Sequence, residues 1–547
     1  MQRKIRHTLL ALLALVVTVP QVQASATGTA ETVQAAADYE ALVAIFEQAV
    51  QVRRVAAVDG VPDYSAGSVE SRRAAERDLR QQLRALDPSA WPVSQQIDYL
   101  LVWAQLNAID FDLRVVRGWA RDPGLAVDLV RRTAYLDPTE DPDAARAALE
   151  RIPRVLAAAQ DWLTDASSEL AGMAIRQMEM SDGVNQGEPR RAVPPAGVIG
   201  WYEDLVARVA ADAPDLAPAA EAALAAVQGY RDWLVANRAG MDTPAWIGLD
   251  NYTWYLQNVL LMPFDAEDLR TIATRELERT RTFLAIERYR NRDLPEIVPV
   301  ASAEEHAARV EEAEAHIRAF MTENELVSIP EGLPERFETD AFWIVREGGQ
   351  RHFWEEITYR DPLNNHVHAS IPGHRFDGLV QRRNTNPIRS RYRDGVRAEG
   401  WAFYIEEMFL QAGMLDDRPR SKELFYIAQL KRAARVPAEL AMQTGDIDLA
   451  QAIDYLVEEV PLMEPDLARY DLAIYLRRPT YGMNYVMGKV QMESLLSARA
   501  LQLGDAFDLG EYHDTFLAAG PIPMALIAWE MTGDGTAMEQ LLETATR

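Results

Sequence analysis

Apolar residues recur at helical spacing along most of the chain after Tyr39. In the run from Tyr99 to Phe111, large apolar residues return every three to four positions. Two segments also begin with capping signals. Asp265 precedes a segment that runs to about residue 292, and Ser302 with Glu305 precedes one that runs to about residue 323. The pattern predicts a mostly α-helical protein with a large multi-helical domain.

The helical spacing returns in the last third of the chain. We expect helices over residues 399–410, 421–444, 448–459 and 480–503, and a final pair of helices after Gly510. A stretch rich in Gly, Pro and Arg, residues 182–198, is expected to be a loop between helical groups. No internal repeat is apparent.

The helical pattern stops over residues 326–365. Within this stretch, Ala341–Val345 and Phe353–Tyr359 are rich in aromatic and β-branched residues, which favours short strands. We therefore expect a small β-hairpin or sheet near the histidines that follow. The edge of such a sheet could pair with an extended peptide, or the hairpin could simply cover the core.

The N-terminus has the features of a secretory signal peptide. Three basic residues precede an apolar run from Thr8 to Val19, which is too short to span a bilayer comfortably. We expect residues 1–24 to be cleaved, residues 25–37 to be a flexible leader, and the mature chain to lie in the bacterial periplasm without a membrane span. An uncleaved membrane anchor is the alternative.

The remaining chain is expected to form one continuous domain, with an N-terminal helical half over residues 38–325 and a C-terminal half over residues 326–547. The net charge of the 547 residues is −27, and it becomes −30 when residues 1–24, with three positive charges and no negative ones, are removed. Such a surface repels phosphate backbones, so nucleic acid is not an expected partner. The chain has no cysteine, and its stability must come from its core.

Three histidines lie within nine residues of one another: His366, His368 and His374. Glu399 follows on the next predicted helix. Neutral imidazoles and a carboxylate, with one position left for water, are the ligands of a catalytic zinc site. The cluster therefore predicts a Zn²⁺ site. The alternatives are that the histidines are structural and that Glu399 is a carboxylate favoured at a helix N-terminus.

The spacing of the histidines leaves the choice of ligands open. On an ideal helix, His368 and His374 are rotated by about 600° relative to each other and do not share a face. Pro372 and Gly373 could distort the helix and bring both histidines to one metal ion. Alternatively, His366 and His368 could both bind the metal from one face of an extended segment.

The motifs resemble those of the bacterial domain-of-unknown-function 885 family. Members of that family look like mostly helical zinc metallopeptidases, marked by H-E-x-x-P-G-H and then E-G-W-A-x-Y. This chain has H-A-S-I-P-G-H at residues 368–374 and E-G-W-A-F-Y at residues 399–404. The likeness continues in the same order through residues 432–435, 485–489 and 512–514, and is looser in the N-terminal half.

The resemblance implies a zinc-peptidase-like domain with a central cleft. It implies that His368, His374 and Glu399 bind Zn²⁺, and that Tyr485 and His513 are candidates to stabilise an oxyanion. The alternative for Tyr485 is a core aromatic whose hydroxyl finds any partner, and the alternative for His513 is a local cap to the final helices.

The chain also departs from the family pattern. Ala369 stands where the family has its glutamate base, and Arg375 stands where a second histidine is usual. Gln443 replaces a frequent histidine, and Thr480-Tyr481 replaces a Gly-Gln pair. The loss of a general base alone typically lowers a rate by about 10²–10⁴.

A different carboxylate could replace the missing base if the fold brings it to the metal. Glu355, Glu356 and Glu406 are the candidates for this role. The first hypothesis is thus a periplasmic zinc-dependent hydrolase, a metallopeptidase-like protein that acts on short peptides. The second is a catalytically inactive pseudoenzyme that binds a peptide or protein in the same cleft. The third is a structural helical protein of the cell envelope whose histidines are incidental.

Overall fold

A computed structural model describes residues 26–184, 186–337 and 342–547. Within these ranges the chain is mostly helical, as the apolar spacing predicts. The predicted signal peptide, residues 1–24, lies outside the described residues. In the described ranges, no helix is both long enough and apolar enough to cross a membrane.

The helices follow one another with short connections. Those of the first part are α1 (Ala26–Arg53), α2 (Ala66–Arg84), α3 (Val93–Phe111), α4 (Gly118–Arg121), α5 (Gly124–Arg131), α6 (Pro142–Trp162), α7 (Ser168–Glu179), α8 (Gly197–Asp212), α9 (Ala217–Asn237), α10 (Leu249–Asn258), α11 (Ala266–Arg290) and α12 (Ala303–Glu323). Those of the second part are α13 (Phe353–Thr358), α14 (Leu363–Ala369), α15 (His374–Gln381), α16 (Gly395–Gln411), α17 (Pro419–Thr444), α18 (Leu449–Glu459), α19 (Pro465–Arg477), α20 (Asn484–Leu503), α21 (Leu509–Ala518), α22 (Met524–Thr532) and α23 (Thr536–Thr546).

Both predicted helix caps are confirmed. The side chain of Asp265 accepts hydrogen bonds from the amides of Glu267 and Asp268, and Asp268 accepts the amide of Asp265 in return. The hydroxyl of Ser302 accepts the amide of Glu305 at 3.2 Å. These bonds satisfy amide groups that have no partner inside a helix, which explains why α11 and α12 begin where they do.

The prediction of a sheet next to the histidines is wrong. Phe353–Thr358 is the helix α13, and residues 342–346 form no regular element, while Ala341 lies outside the described residues. Glu355 explains the difference, because its carboxylate accepts the amide of His352 and so starts a helix. This local bond outweighs the strand preference of the aromatic residues. The sheet that the described residues contain pairs β1 (Ala57–Val58) with β2 (Val61–Pro62), far along the chain.

The segment expected to be a flexible leader, residues 25–37, lies mostly within the described residues. Helix α1 begins at Ala26, so residues 26–37 are helical. The segment contains several alanines, and alanine has the highest helix propensity of all residues. The flexibility of this segment stays a prediction.

Apolar side chains gather in two buried clusters. The smaller one is formed by α5 to α9, with members from Ala126 to Met241. The larger one combines α1 to α3 with the helices that follow residue 245, and it includes Leu101 of α3 and Ile527 of α22. The main core therefore contains residues from both sides of position 325. Burial of this apolar surface is the main force that holds the helices together.

Helices α16 and α20 cross at two glycines that face each other. A Cβ atom on Gly400 would overlap the Cα of Gly488, and one on Gly488 would overlap the carbonyl oxygen of Val396. Only glycine permits this approach of two backbones. The crossing lies next to Glu399 on α16 and one turn from Tyr485 on α20, so it fixes the distance between two candidate site residues.

We expect Gly400→Ala to lower the free energy of unfolding by about 1–3 kcal/mol, because the new methyl group meets backbone that cannot move aside. Gly229→Ala on α9 is the matched control. A Cβ there has no neighbour within 4 Å, and the better helix propensity of alanine should stabilise that variant by up to about 1 kcal/mol. Urea unfolding measures both changes. Equal free energies of unfolding for the two variants would contradict the claim that the crossing requires glycine at position 400.

Candidate metal centre

His368 and His374 lie on two short helices joined by a tight turn. Helix α14 ends one residue after His368, and α15 begins at His374. A Cβ on Gly373 would overlap the carbonyl oxygen of His368, so the turn requires glycine at this position. The indole nitrogen of Trp401 donates to the carbonyl of Pro372 at 2.8 Å and holds the turn against α16. The helix break predicted at Pro372 and Gly373 is therefore present.

The turn brings both histidines to the carboxylate of Glu399. Nε2 of His374 lies 3.1 Å from Oε2 of Glu399, and Nε2 of His368 lies 3.6 Å from the same oxygen. The two imidazole rings meet edge to face, with centroids 4.7 Å apart. The side chain of His374 is 35% exposed, against 11% for His368 and 13% for Glu399. Solvent and ligands can thus approach the cluster from the side of His374.

The three donors fit Zn²⁺. Two imidazoles and one carboxylate are a known ligand set for catalytic zinc, with the fourth position open. Bonds of about 2.0–2.1 Å at tetrahedral angles place neighbouring donor atoms about 3.3 Å apart. The measured separations of 3.1 and 3.6 Å lie on either side of that value, and all three donor atoms lie within 4.8 Å of one another.

A fully buried carboxylate orients His368. Oε1 of Glu406 lies 2.6 Å from Nδ1 of His368, which favours the tautomer that leaves Nε2 free for a metal. Glu406 is itself held by Arg432 at 3.0 Å and by the amide of Asn364 at 2.8 Å. It follows Glu399 by two helical turns on α16, and that spacing places both carboxylates on one face.

The charges around the cluster shift its pKa values. Burial would raise the pKa of Glu399, but the hydrogen bonds from His368 and His374 outweigh it and hold that pKa well below its usual range. Burial would lower the pKa of His374, but its bond to Glu399 raises it. Burial would raise the pKa of Glu406, but the charge of Arg432 together with His368 and the hydrogen bond from Asn364 lowers it. Both carboxylates are therefore ionised at neutral pH.

Tyr485 lies beside the cluster. Its ring stacks on the imidazole of His368, with centroids 6.2 Å apart and planes at 17°. The guanidinium of Arg435 lies 4.9 Å from the centroid of the same ring. Burial and then the charge of Glu399 raise the pKa of Tyr485, so its hydroxyl stays protonated and can donate a hydrogen bond. Its role with an oxyanion stays a prediction.

His513 is not brought to the cluster. Its Nδ1 lies 2.7 Å from the carbonyl oxygen of Leu326, and its Nε2 lies 2.8 Å from the hydroxyl of Tyr404. Burial lowers the pKa of His513 to about 4, so the ring is neutral. With both nitrogens bonded inside the protein, the histidine joins α21 to α16 and to the segment after α12.

His366 also stays apart from the cluster of His368, His374 and Glu399. Its Nε2 lies 3.3 Å from a carboxylate oxygen of Glu314 on α12. His366 and His368 both lie on the helix α14, so they do not share one face of an extended segment. Of the two ligand arrangements that the spacing allows, the structure has the one with His368 and His374.

The three proposed replacement bases are all engaged elsewhere. Glu355 forms an ion pair with Arg346, and Glu356 forms one with Arg360. Glu406 lies against Nδ1 of His368, on the side of the ring away from the metal position. Their role as a replacement for the base that Ala369 lacks stays a prediction.

Residues 47–286 and 294–531 match a family described as "Bacterial protein of unknown function (DUF885)". The chain belongs to the DUF885 family. No curated protein matches it. A candidate lipoprotein of unknown function from Shewanella oneidensis has a similar structure, with a TM-score of 0.67, 16% identity, and coverage of 92% of this chain and 98% of that one. A candidate lipoprotein from Colwellia psychrerythraea has a TM-score of 0.64, 15% identity, and coverage of 93% and 99%. These likenesses show that the whole fold is shared.

Gln443 has a structural role in this DUF885 protein. Its side-chain nitrogen donates to the carbonyls of Tyr475 and Leu476, and its oxygen accepts the amide of Ile247. A fully buried amide with these partners ties α17 to α19 and to the segment before α10. Each of these hydrogen bonds joins the side chain of Gln443 to a backbone group. Gln443 therefore connects helices and does not act as a metal ligand would.

Sequence reasoning missed the partners of Glu406. Arg432 lies in residues 432–435, for which the sequence indicates only a likeness to the family. The sequence predicts no role for Asn364. The two-turn spacing between Glu399 and Glu406 was the available signal, because it puts two acidic residues on one face of an otherwise apolar helix. A buried carboxylate on such a face needs a cation, and Arg432 supplies it.

The pH dependence of stability should depend on Glu439, one turn before Gln443. Its carboxyl is fully buried, accepts the amide of Met483 at 3.0 Å, and has a pKa raised from 4.5 to about 8 by burial. Between these values the folded chain holds a proton that the unfolded chain has lost, so stability falls as pH rises through this window. We expect Glu439→Gln to reduce the fall in Tm between pH 5 and pH 8, measured by thermal scans. A slope identical to that of the wild type would contradict this.

Proposed function

We propose that the protein is a zinc-dependent hydrolase of the metallopeptidase-like kind that acts on short peptides outside the cytoplasm. The observation that carries the proposal is the meeting of His368, His374 and Glu399 with one open side. A zinc ion held there would supply Lewis-acid chemistry, which polarises a carbonyl group and lowers the pKa of water. The metallopeptidase-like family resemblance and the export signal in the sequence support the same proposal.

The protein residues have separate tasks in this proposal. Glu406 keeps the proton of His368 on Nδ1 and fixes the direction of the ring. Tyr485 offers a protonated hydroxyl beside the cluster, suited to donate to the negative charge that develops on a carbonyl oxygen. A peptide would reach the cluster from the exposed side of His374.

The missing base makes the expected reaction slow. Ala369 has no group that can take a proton, and the candidate carboxylates nearby are committed to other partners. We expect turnover about 10²–10⁴ below that of a comparable site with its base.

The same observation favours a second candidate function. A cluster that keeps its metal ligands but lacks its base can hold a peptide without cleaving it. In that case the protein is a pseudoenzyme that captures short peptides. The two functions share one binding site and differ only in turnover.

Peptide cleavage tests the proposal. The zinc-loaded protein is incubated with a library of short peptides, and products are followed by mass spectrometry. His368→Ala should abolish all turnover, while His316→Ala should keep it, because that histidine contacts the carbonyl of Met414 and the ring of Phe320, and neither belongs to the cluster. Peptide binding without any cleavage by the wild type would replace the hydrolase with the pseudoenzyme.

A further inference from the structure

A cavity of 380 Å³ is lined by residues of α13, α14 and α15. The residue after each of the two histidines of the cluster lines it, since Ala369 follows His368 and Arg375 follows His374. The methyl group of Ala369 therefore occupies the wall at the position where the family pattern has its glutamate. The cavity is thus connected to both histidines through their neighbours in the chain.

The charge of the cavity wall is positive. Arg375 is exposed at the start of α15 and forms no ion pair with the carboxylates that the structure describes. Glu355 is the acidic residue among the described lining residues, and its charge is compensated by its ion pair with Arg346. The charge of Arg375 is therefore not neutralised by any carboxylate among the described residues.

A buried imidazole adds donor capacity to the same cavity. Nδ1 of His306 has no hydrogen-bond partner among the described residues, and its ring lines the cavity. His306 is only 3% exposed. A buried polar nitrogen without a partner is costly, and a ligand that accepts its hydrogen bond removes that cost.

We propose that this cavity binds a carboxylate group of the ligand, with Arg375 as its cation and Nδ1 of His306 as a further donor. A guanidinium matches the two oxygens of a carboxylate better than any other side chain. A glutamate at position 369 would place a competing negative charge in the same space, and Ala369 removes it. This carboxylate site rests on the proposed function only for the orientation of the ligand. In that orientation the peptide bonds of the ligand would extend from the cavity towards the cluster.

Carboxylates occur at the C-terminus of a peptide and on acidic side chains. Three N-acetylated tripeptides separate these sources: trialanine with a free C-terminus, the same peptide as its amide, and an amidated peptide with one glutamate. Binding is measured by calorimetry on chelator-treated protein, because a bound metal would attract carboxylates by itself. The readout is affinity and not turnover, so failure of the hydrolase proposal leaves this test intact.

We expect at least one of the two carboxylate peptides to bind tenfold or more tightly than the neutral amide. Preference for the free C-terminus would assign a terminal carboxylate, and preference for the glutamate peptide would assign an acidic side chain. Arg375→Gln should remove the preference, while Arg382→Gln, an exposed arginine at the other end of α15, should keep it. Equal binding of all three peptides, no binding, or a preference that survives in Arg375→Gln would overturn the proposal.

Discussion

Replacing Ala369 by glutamate and Arg375 by histidine in one variant is expected to raise the rate of peptide hydrolysis by about 10²–10⁴. The structure keeps the three metal donors, the carboxylate that orients His368, and the phenol of Tyr485. What it lacks is a group that takes a proton beside the metal, and a general base is worth a factor of this size. The measurement is kcat/KM for a peptide that the wild type cleaves slowly or not at all.

Both positions must change together because they line one cavity. A glutamate at 369 alone would meet the unpaired cation of Arg375 and be held in an ion pair, which lowers its basicity. The single Ala369→Glu variant should therefore gain less than the double variant. The matched control is Ala369→Gln with Arg375→His, which has the same shape without a base and should show no gain. A double variant no faster than this control would mean that the rest of the site is not competent.

Glu406→Ala is expected to destabilise the protein by about 3–5 kcal/mol and to weaken zinc binding by about 10–100-fold. The loss of stability follows because Arg432, which is 2% exposed, would keep its buried charge without its carboxylate partner. The loss of affinity follows because Nδ1 of His368 would lose the carboxylate that fixes its tautomer. Urea unfolding measures the first effect, and competition with a zinc chelator dye measures the second.

Two further variants make the Glu406 result specific. Glu406→Gln keeps the shape and should fold better than the alanine variant, yet bind zinc more weakly than the wild type. Glu356→Ala removes a carboxylate that pairs with Arg360 at a partly exposed position, and should cost no more than about 1 kcal/mol with zinc affinity unchanged. A Glu406→Ala protein that is as stable and binds zinc as tightly as Glu356→Ala would contradict the orienting role.

The helices and the cluster could be predicted because their causes are local in the sequence. Apolar spacing and caps such as Asp265 determine where helices begin, and three histidines with a Pro-Gly break are visible in a short stretch. The strand predicted at residues 353–359 is wrong because the amide of His352 donates to the carboxylate of Glu355 and starts a helix there. A single side-chain bond of this kind can reverse a weak local preference.

The environment of the ligands could not be predicted because it depends on contacts between distant segments. Glu406 meets Arg432 from α17 and Asn364 from α14, and His513 meets a carbonyl 187 residues earlier in the chain. The crossing of α16 and α20 likewise requires Gly400 and Gly488, which lie in two separate motifs. Neither motif by itself indicates that the two backbones meet. Such partners become visible only when the helices are packed.

The zinc content of the purified protein tests the central claim most directly. The metal is measured by mass spectrometry in the wild type, in Glu399→Ala and in His316→Ala after equilibration with zinc and removal of the excess. The account predicts about one zinc ion per chain in the wild type and in His316→Ala, and none in Glu399→Ala. A wild type that holds no zinc, or a Glu399→Ala protein that holds as much as the wild type, would contradict the metal centre.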